Sequence, residues 1–471
     1  MLSIIKKRKI GSFVDNKLLL SSSSTQKKCL VTKKLLANIC PIAPKQIKEA
    51  IASAHQTFLV YKHSLPQERQ VLLLKAKELL LRHKEEFAKM MVSEMGKTMT
   101  EALGEVDYSA GYFSFAADQI SQTFGQTISS KTLNKQILTT HEPVGVCGMI
   151  TPWNFPLAMP ARKISSALAA GCTCVIKPSP ETPITMLLLA EVLKEAGFPK
   201  GACQVLIGQE KKIGKALLSS PLVRKLSFTG STQTGKYLYK ESASTLKKLS
   251  LELGGLAPFI VLEDANIEKA AEEAIKAKFR NSGQTCVAAS YFLIHEKIFD
   301  SFTKALVSKV KKMKIGSPFS LSTDFSTYLH PLSLEKAKRH TQDALKKKAQ
   351  ALLPINPHHP QILVKCKKTM QVFKEETFSP IAPLLSFKTN KQAIKLANST
   401  PFGLAAYLFT NDISKAKQII KELEFGMIGL NDGLFSAPEL PFGGVKESGF
   451  GREGGPNCLQ EFLVTKAISI K

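Results

Sequence analysis

A change of texture near residue 141 constrains this chain more than any other feature. Beyond it, short Val- and Ile-rich runs at 144–150, 174–176, 204–207, 225–228 and 259–262 alternate with amphipathic stretches such as 184–196 and 267–279. Apolar runs this short suit strands buried on both faces, and such strands need helices laid over their sheet. The alternation therefore predicts βαβ units around a parallel sheet, an α/β fold. Strand and helix patterns continue through 382–387, 391–397 and 413–423, a glycine-rich loop spans 443–455, and 462–470 alternates like a terminal strand. Left unpaired, that strand invites association, so another element or subunit is expected to cover it. Upstream, 45–120 reads as helix: Leu72, Leu73, Leu79 and Leu80 recur at helical spacing, and Phe87, Met90 and Met91 extend the stripe.

At 471 residues the chain has room for roughly three structural units. Its charge is the anomaly: 65 Lys and Arg against 38 Asp and Glu leave +27, which by itself invites nucleic acid or an anionic membrane. Only eight of the 65 are arginine, the residue whose planar fork grips phosphates and guanine edges. The excess therefore reads as lysine-rich solvated surface, with no specific nucleic-acid partner and no membrane. The first forty residues hold nine basic side chains against one acid, Asp15, and supply +8 of the total. Together with the run from Ser21 to Ser24 they read as a basic arm over 1–44, either disordered or a targeting segment such as part of a mitochondrial presequence. No run of 18 apolar residues exists, and nine scattered cysteines do not form a disulfide framework. A reducing compartment follows, the cytoplasm, with the mitochondrial matrix as the alternative.

Two phosphate-binding patterns need separating from the rest. Gly449, Gly451 and Gly454 satisfy G-x-G-x-x-G, but Gly455 and Pro456 follow where a helix has to begin. Gly230 to Lys236 nearly makes a P-loop, yet Tyr237 stands where that chemistry needs a Ser or Thr hydroxyl on Mg²⁺. A phosphate on the Gly230 and Ser231 amides at a helix N-terminus needs no metal and stays open.

A set of short motifs then occurs in order: Pro152-Trp153-Asn154-Phe155-Pro156, Ala170-Gly171-Cys172 leading to Lys177-Pro178, Phe228-Thr229-Gly230-Ser231, Leu251-Glu252-Leu253-Gly254-Gly255, Asn281-Ser282-Gly283-Gln284-Thr285-Cys286, Glu375-Glu376-Thr377-Phe378-Ser379-Pro380 and Pro441-Phe442-Gly443-Gly444. From about residue 45 to the end the chain resembles the aldehyde dehydrogenase superfamily. Lys278-Phe279-Arg280-Asn281 and Ala161-Arg162-Lys163 resemble its succinate-semialdehyde dehydrogenase branch. The resemblance implies a Rossmann-type cofactor domain from 45–119 and 141–253, a second α/β catalytic domain over 254–455, and oligomerisation strands from a small β flap at 120–140 and from 456–471. A homodimer or homotetramer is expected.

The chemistry needs a nucleophile, support for an oxyanion, a hydride acceptor and a base for water. By resemblance Cys286 adds to the carbonyl and hydride loss leaves a thioester. Asn154 with the Cys286 backbone N–H holds the oxyanion, and Glu252 activates the deacylating water. Lys177 and Glu376 bind ribose hydroxyls, Phe378 packs near the nicotinamide ribose, Gly230 and Ser231 lie by the pyrophosphate, and Trp153 is a further cofactor contact. No metal is expected. The third residue after Lys177 separates NAD from NADP, because a glutamate there repels a 2'-phosphate. Here it is Pro180, with Glu181 one position late, which leaves both cofactors open and leans to NADP. Arg162, Arg280 and Ser436 match the branch's carboxylate-binding groups, which points to succinate semialdehyde as the small-molecule substrate.

The chain departs from the family's usual start over its first forty residues and is compressed over 316–368. The alternatives are oxidation of another aldehyde, a CoA-acylating semialdehyde dehydrogenase, against which Glu252 argues, and an inactive basic binding protein.

Overall fold

The computed structural model describes residues 2–471. Its central sheet has eight strands in the order Gly449–Phe450, Lys248–Glu252, Val223–Thr229, Val146–Ile150, Thr173–Lys177, Cys203–Val205, Phe13–Val14 and Lys17–Leu18. The inner five, from Lys248–Glu252 to Cys203–Val205, run parallel, and the outer strands join antiparallel. Cys147, Val175 and Val205 on the inner strands are shut off from solvent. This double-sided burial produces the unbroken apolar runs seen in the sequence. A second sheet of seven strands follows the order Gln350–Ala351, Gln361–Val364, Ile381–Phe387, Ala289–His295, Ala257–Val261, Ala405–Phe409 and Met427–Leu430, parallel except at its first edge. Phe259 centres its core, 4.5 Å from the Phe409 ring and 4.9 Å from that of Phe292.

Local chemistry starts and stops the helices. Thr98 caps Met99–Gln119, accepting from Glu101 N while Glu101 takes the Thr98 N–H in return. Asn266 caps Ile267–Phe279 by accepting from Lys269 N at 3.0 Å. Pro183 opens Pro183–Ala196, and Gly197 closes it at φ 103.

The basic segment is folded, contrary to the reading of 1–44 as a disordered arm; Met1 of that segment lies outside the described residues. Phe13 pairs with Val205 and so extends the central sheet, while Lys9–Ile10, Leu35–Ile39 and Thr25–Lys28 form a sheet of their own. Leu2, Ile4, Ile10, Phe13 and Ile39 join the main core. Glu86 accepts the Leu2 N–H at 2.8 Å, and Glu191 those of Ser3 and Ile4 at 2.9 and 3.2 Å. Lys6, Lys7 and Lys17 face solvent. Lysine-rich composition conceals such short strands because a few apolar side chains are enough to seat them.

Gln136–Pro143 pairs antiparallel with Gln126–Ile128 and, along its whole length, with Leu463–Ile470. Among the described residues no strand lies on the far edge of Leu463–Ile470, where Val464 and Ile470 are exposed. Among the same residues, no helix is long and apolar enough to cross a membrane.

Candidate active site

Cys286 lies between helix Ile267–Phe279 and strand Ala289–His295, and of the nine cysteines it alone is partly open to solvent. The turn before it is strained. Asn281, Ser282 and Gly283 hold left-handed φ values of 51, 54 and 75, a conformation that costs a non-glycine residue about 1–3 kcal/mol. Contacts from distant segments fix it. Glu101 Oε1 accepts the Asn281 N–H at 2.6 Å, Ser282 Oγ donates to Ser326 O at 2.6 Å, and a Cβ on Gly283 would stand 2.5 Å from Ser379 O.

Asn154 meets this turn from the segment after strand Val146–Ile150. Its Nδ2 donates to Gln284 O at 3.0 Å, and Asn281 Nδ2 donates to Asn154 O at 3.0 Å. From behind, the buried Lys97 donates to Asn154 O at 3.0 Å, lies 4.2 Å over the Phe155 ring and pairs with Glu105. Glu105 Oε1 in turn takes the N–H groups of Leu157 and Ala158 at 2.9 and 3.0 Å. With its backbone carbonyl pinned by Asn281 and Lys97 and its Nδ2 bound to Gln284 O, the Asn154 side chain keeps its direction when charge develops in front of it.

Glu252 ends strand Lys248–Glu252, is 2% exposed, and neither of its carboxylate oxygens has a hydrogen-bond partner. Desolvation, with Glu453 second, drives its carboxyl well above the usual range against the pull of Arg162 and Lys163. The two glycines that follow explain the motif. A Cβ on Gly255 would lie 2.8 Å from Cys286 O, and one on Gly254 3.2 Å from Glu376 Oε2. Only bare backbone lets the Glu252 strand end, the cysteine turn and the Glu376 loop converge. Burial pushes the Cys286 thiol up to about 12, while Arg162 and Arg280 pull it down.

The two arginines sit differently. Arg280 lines a narrow cleft with Ser436, Tyr407 and Phe435, and also borders a cavity of about 520 Å³ beside Thr98, Asp324 and Lys312. Arg162 borders neither cavity. It is fully buried, its Nε donates to Glu453 Oε2 at 2.7 Å, its guanidinium lies 4.0 Å over Phe442, and its Nη1 is buried without a partner. Glu453 also accepts from Lys163 and, at 3.0 Å, from Ser227 Oγ. Against a desolvation that would raise it, Lys163 and then Arg162 hold the Glu453 carboxyl well below the usual range.

Lys177 ends strand Thr173–Lys177 and donates to Glu210, the first residue of helix Glu210–Ser219. Ser231 caps helix Thr232–Ser242, its Oγ accepting from Thr234 N at 3.3 Å, and Gly230 N donates to Glu252 O at 3.0 Å. Both groups stand at the carboxyl ends of parallel strands, where open α/β sheets bind ligands. Lys236 pairs with Glu447 at 2.9 Å on the surface, away from any phosphate role. Burial pushes the Glu376 carboxyl up to about 7, and Gly255 N approaches it at 3.5 Å. Trp153 stacks on His330 at 4.5 Å and meets the Phe378 ring edge-on at 5.9 Å. Among the described residues no group of His, Cys, Asp or Glu is placed to hold a metal ion.

The structure thus brings Cys286, Asn154, Glu252 and Glu376 to one convergence, sets Arg280 with Ser436 on one side, and strings Lys177, Gly230 and Ser231 along the strand ends. Sequence reasoning overlooks Lys97, Glu105 and Glu453, and assigns Asn281 no role of its own. For Glu453 a signal exists, an acid enclosed by Gly449, Gly451, Gly454 and Gly455, where glycine density marks close packing.

Residues 20–468 match the Aldehyde dehydrogenase family. The chain is 44% identical to the succinate-semialdehyde dehydrogenase [NADP(+)] of Saccharomyces cerevisiae, over 90% of this chain and 87% of that one. It is 39% identical to the glutarate-semialdehyde dehydrogenase of Pseudomonas putida, over 93% and 92%. The crystal structure of succinate-semialdehyde dehydrogenase from Burkholderia pseudomallei superposes with a TM-score of 0.96 at 38% identity, covering 99% of this chain and 98% of that one.

Proposed function

Because the chain belongs to the aldehyde dehydrogenase family and is an NAD(P)-dependent aldehyde dehydrogenase, we propose that its substrate is a short aldehyde with a distal carboxylate, succinate semialdehyde, which it oxidises to succinate. The observation that carries this reading is the cleft that Arg280 and Ser436 line together with Thr285, the residue before Cys286. A guanidinium and a hydroxyl facing one cleft beside the nucleophile's turn suit an anionic tail.

On this reading Cys286 gives its thiol proton to solvent water and adds as the thiolate through sulfur to the aldehyde carbon, and the carbonyl oxygen, now negative, accepts from the Asn154 Nδ2–H that in the free protein faces Gln284 O. Removing an oxyanion donor of this kind costs about 3–4 kcal/mol. A bound nicotinamide supplies the hydride acceptor. The residues present fit such a dinucleotide: Lys177 and Glu210 form a donor and acceptor pair at a strand end, and the first turn of Thr232–Ser242 opens at the next one. Loss of hydride leaves a thioester on Cys286. Glu252, unpartnered and so free to orient water, takes one of its protons when ionised. The hydroxide adds to the thioester, and the Cys286 sulfur departs as the acid forms. The relatives named for NADP(+) and the absence of an acid at Pro180 support use of NADP beside NAD.

The open edge of Leu463–Ile470 supports self-association into a homodimer or homotetramer, and nine unpaired cysteines support a reducing compartment, the cytoplasm. The two large sheets support a division into cofactor residues 45–119 and 141–253 and catalytic residues 254–455, with Phe13–Val14, Lys17–Leu18 and Gly449–Phe450 joining the cofactor sheet from outside those bounds.

Steady-state kinetics on succinate semialdehyde, glutarate semialdehyde and butanal with each cofactor test the substrate. The expected result is a preference for the carboxylated aldehydes that Arg280→Ala abolishes by raising their KM. Equal kcat/KM on butanal in the wild type, or an unchanged preference in Arg280→Ala, refutes the assignment.

A further inference from the structure

We propose that Glu210 sets the preference of this chain between NAD and NADP. The inference rests on the reading that Lys177 meets the adenosine ribose. Two acids near that place compete for the role left vacant by Pro180, and the geometry separates them. Glu181 turns away: its carboxylate stands 3.7 Å from Lys27 of the N-terminal strand Thr25–Lys28, and its backbone N–H is fixed by Ser179 Oγ at 3.2 Å. Glu210 instead accepts directly from Lys177 Nζ, although it lies 33 residues away in sequence. Lys177 is 6% exposed, so its ammonium has few other places to go, whereas the Glu210 side chain is more than half exposed and open to a ligand.

An ammonium and a carboxylate side by side at a strand end match a vicinal diol, which accepts at one hydroxyl and donates from the other. A 2'-phosphate has no hydroxyl proton to give at that position and carries a charge of about −1.5 to −2 at neutral pH. It meets the Glu210 carboxylate with repulsion and must also compete with it for Lys177. Pro180, lacking a carboxylate, leaves the phosphate room, and Lys211 and Lys212, exposed on the same helix start, attract it. Glu210 is therefore the group that holds NADP use down and keeps NAD use up.

The test is kcat/KM for NADP divided by kcat/KM for NAD, with succinate semialdehyde saturating, in the wild type, Glu210→Gln and the double variant Pro180→Glu with Glu210→Gln. Glu210→Gln is expected to raise the ratio at least tenfold, mainly through KM for the two dinucleotides. Restoring an acid at 180 is expected to bring it back down. Equilibrium binding of 2',5'-ADP against ADP-ribose reads the same shift without turnover. A ratio that moves less than twofold in Glu210→Gln, with melting temperature preserved, overturns the inference while leaving the enzyme assignment standing. A wild type that turns over with neither dinucleotide refutes the functional reading itself.

Discussion

Replacing Glu453 by Gln keeps the shape of the side chain and removes one charge from a buried cluster of three. Glu453 is bonded to Arg162, Lys163 and Ser227, and the two cations are fully buried. Leaving buried charges without their partner costs about 3–5 kcal/mol. With an unfolding entropy of about 2.1 cal/mol/K per residue, a chain of 471 residues gains about 1 kcal/mol/K on unfolding, so a loss near 4 kcal/mol lowers Tm by about 4 °C at pH 7. The sign with pH follows from the depressed carboxyl of Glu453. Its stabilisation is present above the ordinary glutamate range and is lost as pH falls through it, so the Tm gap between wild type and variant should narrow below about pH 4. A second effect reaches the reaction. Glu453 is, after desolvation, the strongest influence raising the Glu252 carboxyl, and without it Arg162 and Lys163 act on Glu252 unopposed. The acid limb of the kcat–pH profile is expected to move to lower pH. Differential scanning calorimetry and a pH series of initial rates check both. A variant with unchanged Tm and an unmoved acid limb refutes the account of the cluster.

Asn154→Ala should lower kcat/KM by about 10²–10³-fold while dinucleotide binding, followed by fluorescence quenching of Trp153, holds. Cys286 rests as a thiol raised by burial, so iodoacetamide labelling of the free protein should quicken about tenfold per pH unit from 6 to 9; a plateau in that window contradicts it. Burial lowers the Lys278 ammonium to about 7 from an ordinary 10.5. A base with a depressed folded value costs stability fully below that value and progressively less as pH rises toward 10.5, here about 5 kcal/mol at pH 6 and about 2 at pH 9. Lys278→Met should therefore raise Tm more at pH 6 than at pH 9, and an equal gain at both pH values counts against it.

The parallel strands and the chemistry-bearing motifs are legible in the sequence because each is local. Burial on both faces writes itself as an apolar run at 144–150 or 259–262, and glycines at 254 and 255 mark a close approach before its partner is known. What stays hidden is long-range. No pattern around Lys97 announces Asn154, 57 residues on, and nothing near Glu453 names Arg162, 291 residues back. The folded N-terminal strands are missed for a different reason: their lysines dominate any compositional measure, while Ile10, Phe13 and Ile39 do the packing.

The left-handed turn ahead of Cys286 has a kinetic corollary. Its supports come from Glu101, Asn154, Ser326 and Ser379, separated from the turn by 180, 127, 44 and about 96 residues. Contacts of such separation form late, since each loop must close before it is rewarded. On refolding from denaturant, helical signal should therefore return well before dehydrogenase activity, with the reactive centre maturing as the final step.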